Sequence, residues 1–176
     1  QEKMDSVDDK WKDSMDDYNV MLVTIGRSST ENGTYLPGVD GVDASQNLNQ
    51  TDPLGLSDDE RDLINAAVEA KENNGGKVIV MLNNANAMEI DEIKNNDGVD
   101  AIMEIGFPGG YGFYGVADIL SGEANPSGHL TDTYAVTNAN SPAAQNFGNY
   151  EWINADPTVN INAEEVEAEG IYTGYK

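Results

Sequence analysis

The stretch SDDERDLINAAVEAKENNGGKVIVMLNNANAMEIDEIKNNDGVDAIMEIGFPGGYG, Ser57–Gly112, decides the fold. It opens on Ser57-Asp58-Asp59-Glu60, a capping-box pattern in which a Ser hydroxyl and a Glu carboxylate three residues later satisfy each other's free backbone amides. Leu63, Ile64, Ala67 and Val68 then repeat at helical spacing, and Gly75-Gly76 stops the helix. Lys77–Leu82 (KVIVML) is an apolar run of strand length. Met88–Lys94 predicts a short helix, Val99–Ile105 (VDAIMEI) another strand, and Gly106–Gly112 (GFPGGYG) a glycine-rich turn into a helix carrying Val116, Ile119 and Leu120.

Upstream, Val20–Ile25 (VMLVTI) ends at Gly26 and predicts a strand buried on both faces. Before it, Met4, Val7, Trp11 and Met15 fall at spacings of three and four, which predicts one amphipathic helix over Gln1–Tyr18. Downstream, Thr131–Tyr134 predicts a short strand, and Ala135–Lys176 is mostly polar connection. Apolar strands alternating with amphipathic helices imply an α/β fold: a three-layer sandwich in which helices cover both faces of a mostly parallel sheet. A chain of 176 residues suits one such domain.

The chain carries 32 Asp plus Glu against 9 Lys plus Arg, a net charge of -23, so polyanionic partners such as nucleic acid or an anionic membrane surface are repelled. With no Cys and a single His, disulfides, thiolate zinc sites, cysteine nucleophiles and multi-histidine metal sites are excluded. No apolar run reaches the ~18–20 residues of a membrane span. The compartment stays open between cytoplasmic and exported, and no cofactor is expected.

Ligands of parallel sheets bind outside the carboxyl ends of the strands. Those ends are Gly26 with the long loop to Leu56, Asn83-Asn84, and Gly106 with the glycine turn. GFPGGYG matches neither G-x-G-x-x-G nor a P-loop, and its glycines read as a tight turn and close helix–sheet packing. Ser28–Thr34 is similar to a flavodoxin phosphate loop, but Tyr35-Leu36-Pro37-Gly38 continues as loop instead of entering a helix. Glu31 is a carboxyl just beyond a buried strand, where partial burial would raise its pKa and suit it to general acid work. Glu104 in the third strand, and Asp40 and Asp43 in the loop, compete for that role. Asp40, Asp43, Ser45 and Asn47 miss the spacing of a calcium loop, so no metal is assigned. His129 has no Ser or Cys partner in view and reads as a surface or packing residue.

Taken together, these segments resemble the second domain of glycoside hydrolase family 3, the β-glucosidase-like family. The resemblance runs in order from Tyr18 to Lys176, through Gly26-Arg27, Glu31, LGLSDDERDLINAAV (Leu54–Val68), KVIVMLNNANAMEI (Lys77–Ile90) and PGGYGFYGVADILSGEANPSGHLTDTY (Pro108–Tyr134). Its most specific element is A-D-I-L-x-G-E-x-N-P-S-G-x-L at Ala117–Leu130, and EGIYTGYK (Glu169–Lys176) is similar to the family segment that follows.

The resemblance implies a two-domain enzyme in which a barrel supplies an Asp nucleophile and the α/β domain supplies an acid/base Glu. The family's G-R-x-S-G-E-G segment matches Gly26-Arg27-Ser28-Ser29-Thr30-Glu31-Asn32, which makes Glu31 the acid/base candidate and Arg27, Ser29 and Asn32 candidates for substrate binding or loop support. Thr30 and Asn32 stand where those members have Gly, and Glu104 stays the alternative acid. The implied substrate is a small carbohydrate, a β-glucoside or oligosaccharide, and the implied partner is the barrel of the same enzyme. Residues 1–176 are then expected to be a fragment that lacks the first strand–helix unit and the barrel, and that alone does not complete the reaction. Beside this stand a non-catalytic carbohydrate-binding or assembly module and, more remotely, a flavodoxin-like flavin-binding protein.

Overall fold

Among the described residues three parallel strands, β1 (Val20–Gly26), β2 (Lys77–Asn83) and β3 (Ala101–Glu104), form one sheet in the order β1-β2-β3. The computed structural model describes residues 4–27, 52 and 54–141. Among the described residues four α-helices accompany the strands: α1 (Asp9–Asp13), α2 (Asp58–Asn74), α3 (Asp91–Lys94) and α4 (Gly109–Ser121). The α/β architecture with a parallel sheet is the one the strand and helix pattern predicts. No helix among the described residues is long and apolar enough to cross a membrane.

The capping box at the start of α2 forms in both directions. Glu60 N donates to Ser57 Oγ at 3.2 Å, and Ser57 N donates to Glu60 Oε2 at 2.8 Å. At the other end Gly75 adopts φ 73°, the left-handed conformation that glycine takes without a Cβ penalty, and its amide donates to Lys71 O. Between these stops Ile64, Ala67 and Ala70 turn onto the sheet against Met21, Val23 and Ile25 of β1 and Val78, Val80 and Leu82 of β2. Met88 and Ile93 complete the same core, so the short α3 lies on the α2 side. Arg61 ties the two helices together, donating to both oxygens of Glu92 at 2.7 and 2.8 Å.

The prediction that β1 is buried on both faces is corrected. Its burial alternates, with Val20 49% and Leu22 47% exposed. The physical reason is topological: the order β1-β2-β3 advances in one direction, and right-handed crossovers then lay α2 and α3 on one face. The central strand fares differently, since both Val80 and its neighbour Met81 are buried.

A single helix over Gln1–Tyr18 is also corrected. Among the described residues the segment breaks into a 3-10 turn at Met4–Ser6, α1, and a second 3-10 turn at Ser14–Asp17. Local side chains compete with the helical ladder: Asp8 accepts from Lys10 N at 2.9 Å, and Ser14 Oγ donates to Trp11 O at 2.8 Å. Of the predicted stripe, Met15 packs against the core while Trp11 is exposed.

Residues 131–134 form no strand. Thr131 Oγ1 instead donates to the neighbouring Asp132 carboxylate, and Tyr134 reaches the core through its side chain. The boundaries of β3 are shorter than Val99–Ile105, although Asp100 N and Ile105 N still donate to Val78 O and Leu82 O at 2.9 Å each.

Candidate functional site at the carboxyl ends of the strands

The three strand ends are stitched side by side. Arg27 N donates to Asn83 O at 3.1 Å, and the Asn83 side-chain amide donates to Gly106 O. Beside them Asn84 is buried; its Nδ2 donates to the Met88 thioether at 3.1 Å, and its Oδ1 has no hydrogen-bond partner among the described residues.

Arg27 is the first residue beyond β1 and is only 7% exposed. Its Nε donates to Glu60 Oε1 at 3.0 Å and its Nη2 to Glu60 Oε2 at 2.5 Å, a two-pronged ion pair with a carboxylate that is 0% exposed. The same Nη2 donates to Gly55 O at 2.7 Å. One guanidinium therefore joins the end of β1, the first turn of α2, and the residue that leads into that turn.

Glu104, the last residue of β3, accepts from Gly106 N at 2.8 Å and from the Tyr134 hydroxyl at 2.9 Å. Burial, followed by the hydrogen bond to the Glu104 carboxylate, raises the Tyr134 phenol above its ordinary pKa, so it stays a donor. Each Glu104 oxygen is thus engaged within the domain, one holding the glycine turn and the other holding residue 134.

Gly106 and Gly109 adopt φ 53° and 60°, so the tight-turn reading of GFPGGYG holds at both. The helix–sheet packing reading finds no contact: among the described residues a Cβ added at Gly106, Gly109 or Gly110 would meet nothing within 4 Å, and one at Gly112 would meet Pro108 Cβ, in the turn itself, at 2.8 Å. The helix these glycines lead into, α4, buries no residue among the described ones, and Tyr111 is 91% exposed.

A second carboxyl cluster lies next to this edge. Glu89 N donates to Leu54 O at 2.8 Å, and the Glu89 carboxylate accepts from Asn138 N. Burial raises the pKa of Glu89, and the Asp52 carboxyl beside it adds to the rise through its charge and a hydrogen bond. The residues before α2, the β2–α3 connection and residue 138 are gathered here.

Of the residues singled out in the sequence, Arg27 and Glu104 lie at the carboxyl ends of β1 and β3, on either side of the central β2, and His129 is exposed. Glu31, Ser29 and Asn32, the loop acids Asp40 and Asp43, and the segment Glu169–Lys176 lie outside the described residues. Glu60 was legible as a helix cap and nothing more. Its second role, as the partner of Arg27, joins residues 33 apart and has no local signature.

Residues 3–175 match the model of the glycosyl hydrolase family 3 C-terminal domain. The chain is 26% identical over 166 residues to thermostable beta-glucosidase B of Acetivibrio thermocellus, covering 93% of this chain and 19% of that protein. It is 33% identical over 100 residues to probable beta-D-xylosidase 6 of Arabidopsis thaliana, covering 54% of this chain and 12% of that one. Among solved structures, beta-glucosidase 3B from Thermotoga neapolitana in complex with glucose superposes with a TM-score of 0.66 at 29% identity, over 84% of this chain and 19% of that chain. The chain spans about a fifth or less of the length of these relatives.

Proposed function

We propose, from the premise that this chain belongs to glycosyl hydrolase family 3 as its C-terminal domain, that it is the acid/base-bearing half of a retaining β-glycosidase acting on terminal O-glycosidic bonds. The observation that carries this reading is the similarity, at 29% identity and a TM-score of 0.66, to a β-glucosidase solved with glucose. The names of the sequence relatives, β-glucosidase and β-xylosidase, support a small β-linked glycoside as substrate. The nucleophile Asp comes from a barrel domain of the parent protein, and a preceding strand–helix unit completes the sheet.

Glu31 is the acid/base residue in this reading. As a neutral acid it gives its proton to the glycosidic oxygen while the Asp of the barrel attacks the anomeric carbon, which requires the two carboxyls ~5–5.5 Å apart. As a carboxylate it then takes a proton from the water that hydrolyses the glycosyl-enzyme, with retention of configuration. Ser29 and Asn32 flank it, and Arg27 supports the loop at its base, as its bonds to Glu60 and Gly55 favour. Glu104 is the alternative acid, and its two internal donors favour a supporting role instead.

In the full-length enzyme, Glu31→Gln lowers turnover of natural glycosides by about 10²–10⁴-fold, and azide restores turnover of an activated aryl glycoside by forming the glycosyl azide. Near-normal turnover of natural glycosides by this variant overturns the assignment.

A further inference from the structure

We propose that the aromatic face at the start of α4, made by Phe107, Tyr111 and Tyr114, is the surface on which the nucleophile-bearing barrel of the parent enzyme docks. The proposal rests on the reading above that the parent carries such a barrel, and it names where on this domain that partner sits. The three rings are 53%, 91% and 72% exposed. Tyr111 and Tyr114 stand three residues apart and so share one side of the helix. Val116, Ile119 and Leu120 are partly buried and mark the side turned towards the domain. Two turns beyond the tyrosines the outward side carries Asp118 and Ser121 instead, so the aromatic surface is confined to the first turns of α4.

Those turns begin at the carboxyl edge of the sheet. Glu104 ends β3, and Gly106 O, just ahead of α4, accepts from the Asn83 side chain at the end of β2. A retaining glycosidase needs its two carboxyls ~5–5.5 Å apart. A barrel that supplies one of them therefore meets this domain at its strand ends, beside the aromatic face.

The chemistry of the stretch fits a protein partner. Residues 105–117 carry no charge, in a chain of which 23% is charged and whose net charge is -23. Interface cores are poor in charge and rich in Tyr and Phe, because an aromatic ring buries a large area and a phenol can hydrogen-bond without burying an ion. Gly115 gives independent support. Glycine weakens a helix interior, and among the described residues a Cβ at Gly115 would meet nothing within 4 Å, so packing inside the domain does not call for it. Bare backbone one turn from Tyr111 suits the close approach of a second surface. The chain covers 19% of beta-glucosidase B and 19% of beta-glucosidase 3B, so most of such a parent lies outside this domain and is at hand to cover the face.

Nitration of the full-length enzyme by tetranitromethane, followed residue by residue by mass spectrometry, reads the surface in wild type. The same enzyme in urea supplies the reference rates. Tyr111 and Tyr114 are expected to react at least about tenfold more slowly in the folded enzyme, as residues of a water-excluding interface core do. Reaction of both at close to the unfolded rate overturns the proposal. Photoreactive benzoylphenylalanine at position 111 or, separately, at position 114 then identifies the occupant. A cross-linked peptide from the barrel of the same chain is expected. Cross-links to a second copy, cross-links only to the α/β domain itself, or no cross-link overturn the proposal. A fluorinated glucoside that traps the glycosyl-enzyme separates the two readings. Trapping on an Asp of the barrel leaves the glycosidase reading standing whatever the cross-links give, and a parent in which no barrel Asp is trapped overturns that reading and this inference with it.

Discussion

Tyr134 donates its phenolic proton to Glu104 Oε2 at 2.9 Å, and through this bond the residues that follow α4 are fastened to the last residue of β3. The carboxylate is part-buried and its other oxygen holds Gly106 N, so the pair links the glycine turn to the chain 30 residues further on. Tyr134→Phe removes the donor and leaves one oxygen of a charged group without its partner, which costs about 1–2 kcal/mol. Urea unfolding at pH 7, compared with wild type, measures it.

The same pair has an alkaline signature. The folded-state pKa of Tyr134 is raised above the value of about 10 expected in the unfolded chain, so the folded state holds a proton that the unfolded state releases. The stabilisation is fully present below pH ~10 and is lost as pH rises through the folded value. Wild type loses stability above pH ~10 through this group, and Tyr134→Phe lacks that component. Unfolding midpoints of both proteins between pH 8 and 11 check the difference.

Asp100 gives the opposite sign. Lys71 Nζ and Lys77 Nζ each donate to its carboxylate at 2.8 Å and Val78 N at 2.9 Å, and these bonds, Lys71 first, hold its pKa well below the usual carboxylate range. A depressed pKa contributes stability that is present above the unfolded value of about 3.9 and is lost as pH falls through the folded value. Asp100→Asn therefore lowers the thermal midpoint at pH 7, and the gap to wild type closes in acid. Because the group is at the surface, 1 M NaCl also narrows the gap. A gap that stays constant from pH 7 to pH 2 counts against this account.

Gly98 lies where α2 passes the approach to β3. A Cβ there would sit 2.3 Å from Val68 Cγ1 and 3.0 Å from Val68 Cβ, a contact that the stiff valine side chain does not relieve by rotation. Gly98→Ala is expected to destabilise the domain by about 1–3 kcal/mol through overpacking. Adding Val68→Ala should return part of the loss, so a double-mutant cycle yields a favourable coupling between the two substitutions. Strict additivity contradicts the steric explanation.

Local chemistry was legible in the sequence wherever one segment contains the whole interaction. Ser57 and Glu60 are three residues apart, and the capping box they predict forms in both directions. Gly75 stops α2, the apolar runs at Val20 and Lys77 become neighbouring parallel strands, and the motifs of Pro108–Tyr134 point to the family that the domain match shows. Periodicity fixes which faces are apolar, because helical and extended backbones repeat every 3.6 and 2 residues. It does not fix what covers them. Val20 and Leu22 are as apolar as Val23 and Ile25, and only the side on which α2 crosses decides that the first two are exposed. The stripe from Met4 to Met15 failed for a related reason, since the side chains of Asp8 and Ser14 offered the backbone competing hydrogen bonds.

The electrostatic framework of the strand ends belongs to the tertiary structure alone. Arg27 with Glu60, Glu104 with Tyr134, and Glu89 with Asp52 are separated in sequence by about 30 residues or more, and among 32 acids no local pattern selects these partners. Parallel crossovers bring them together, because each return to the sheet places the next strand end beside the last. By itself the sequence determined the family and the order of β1, α2, β2, β3 and α4, and it offered Glu31 as a candidate carboxyl. The packing of α2 on β1 and β2 decided that Glu60, one acid among many, lies buried against Arg27, where its charge is fixed by geometry instead of being dispersed in water.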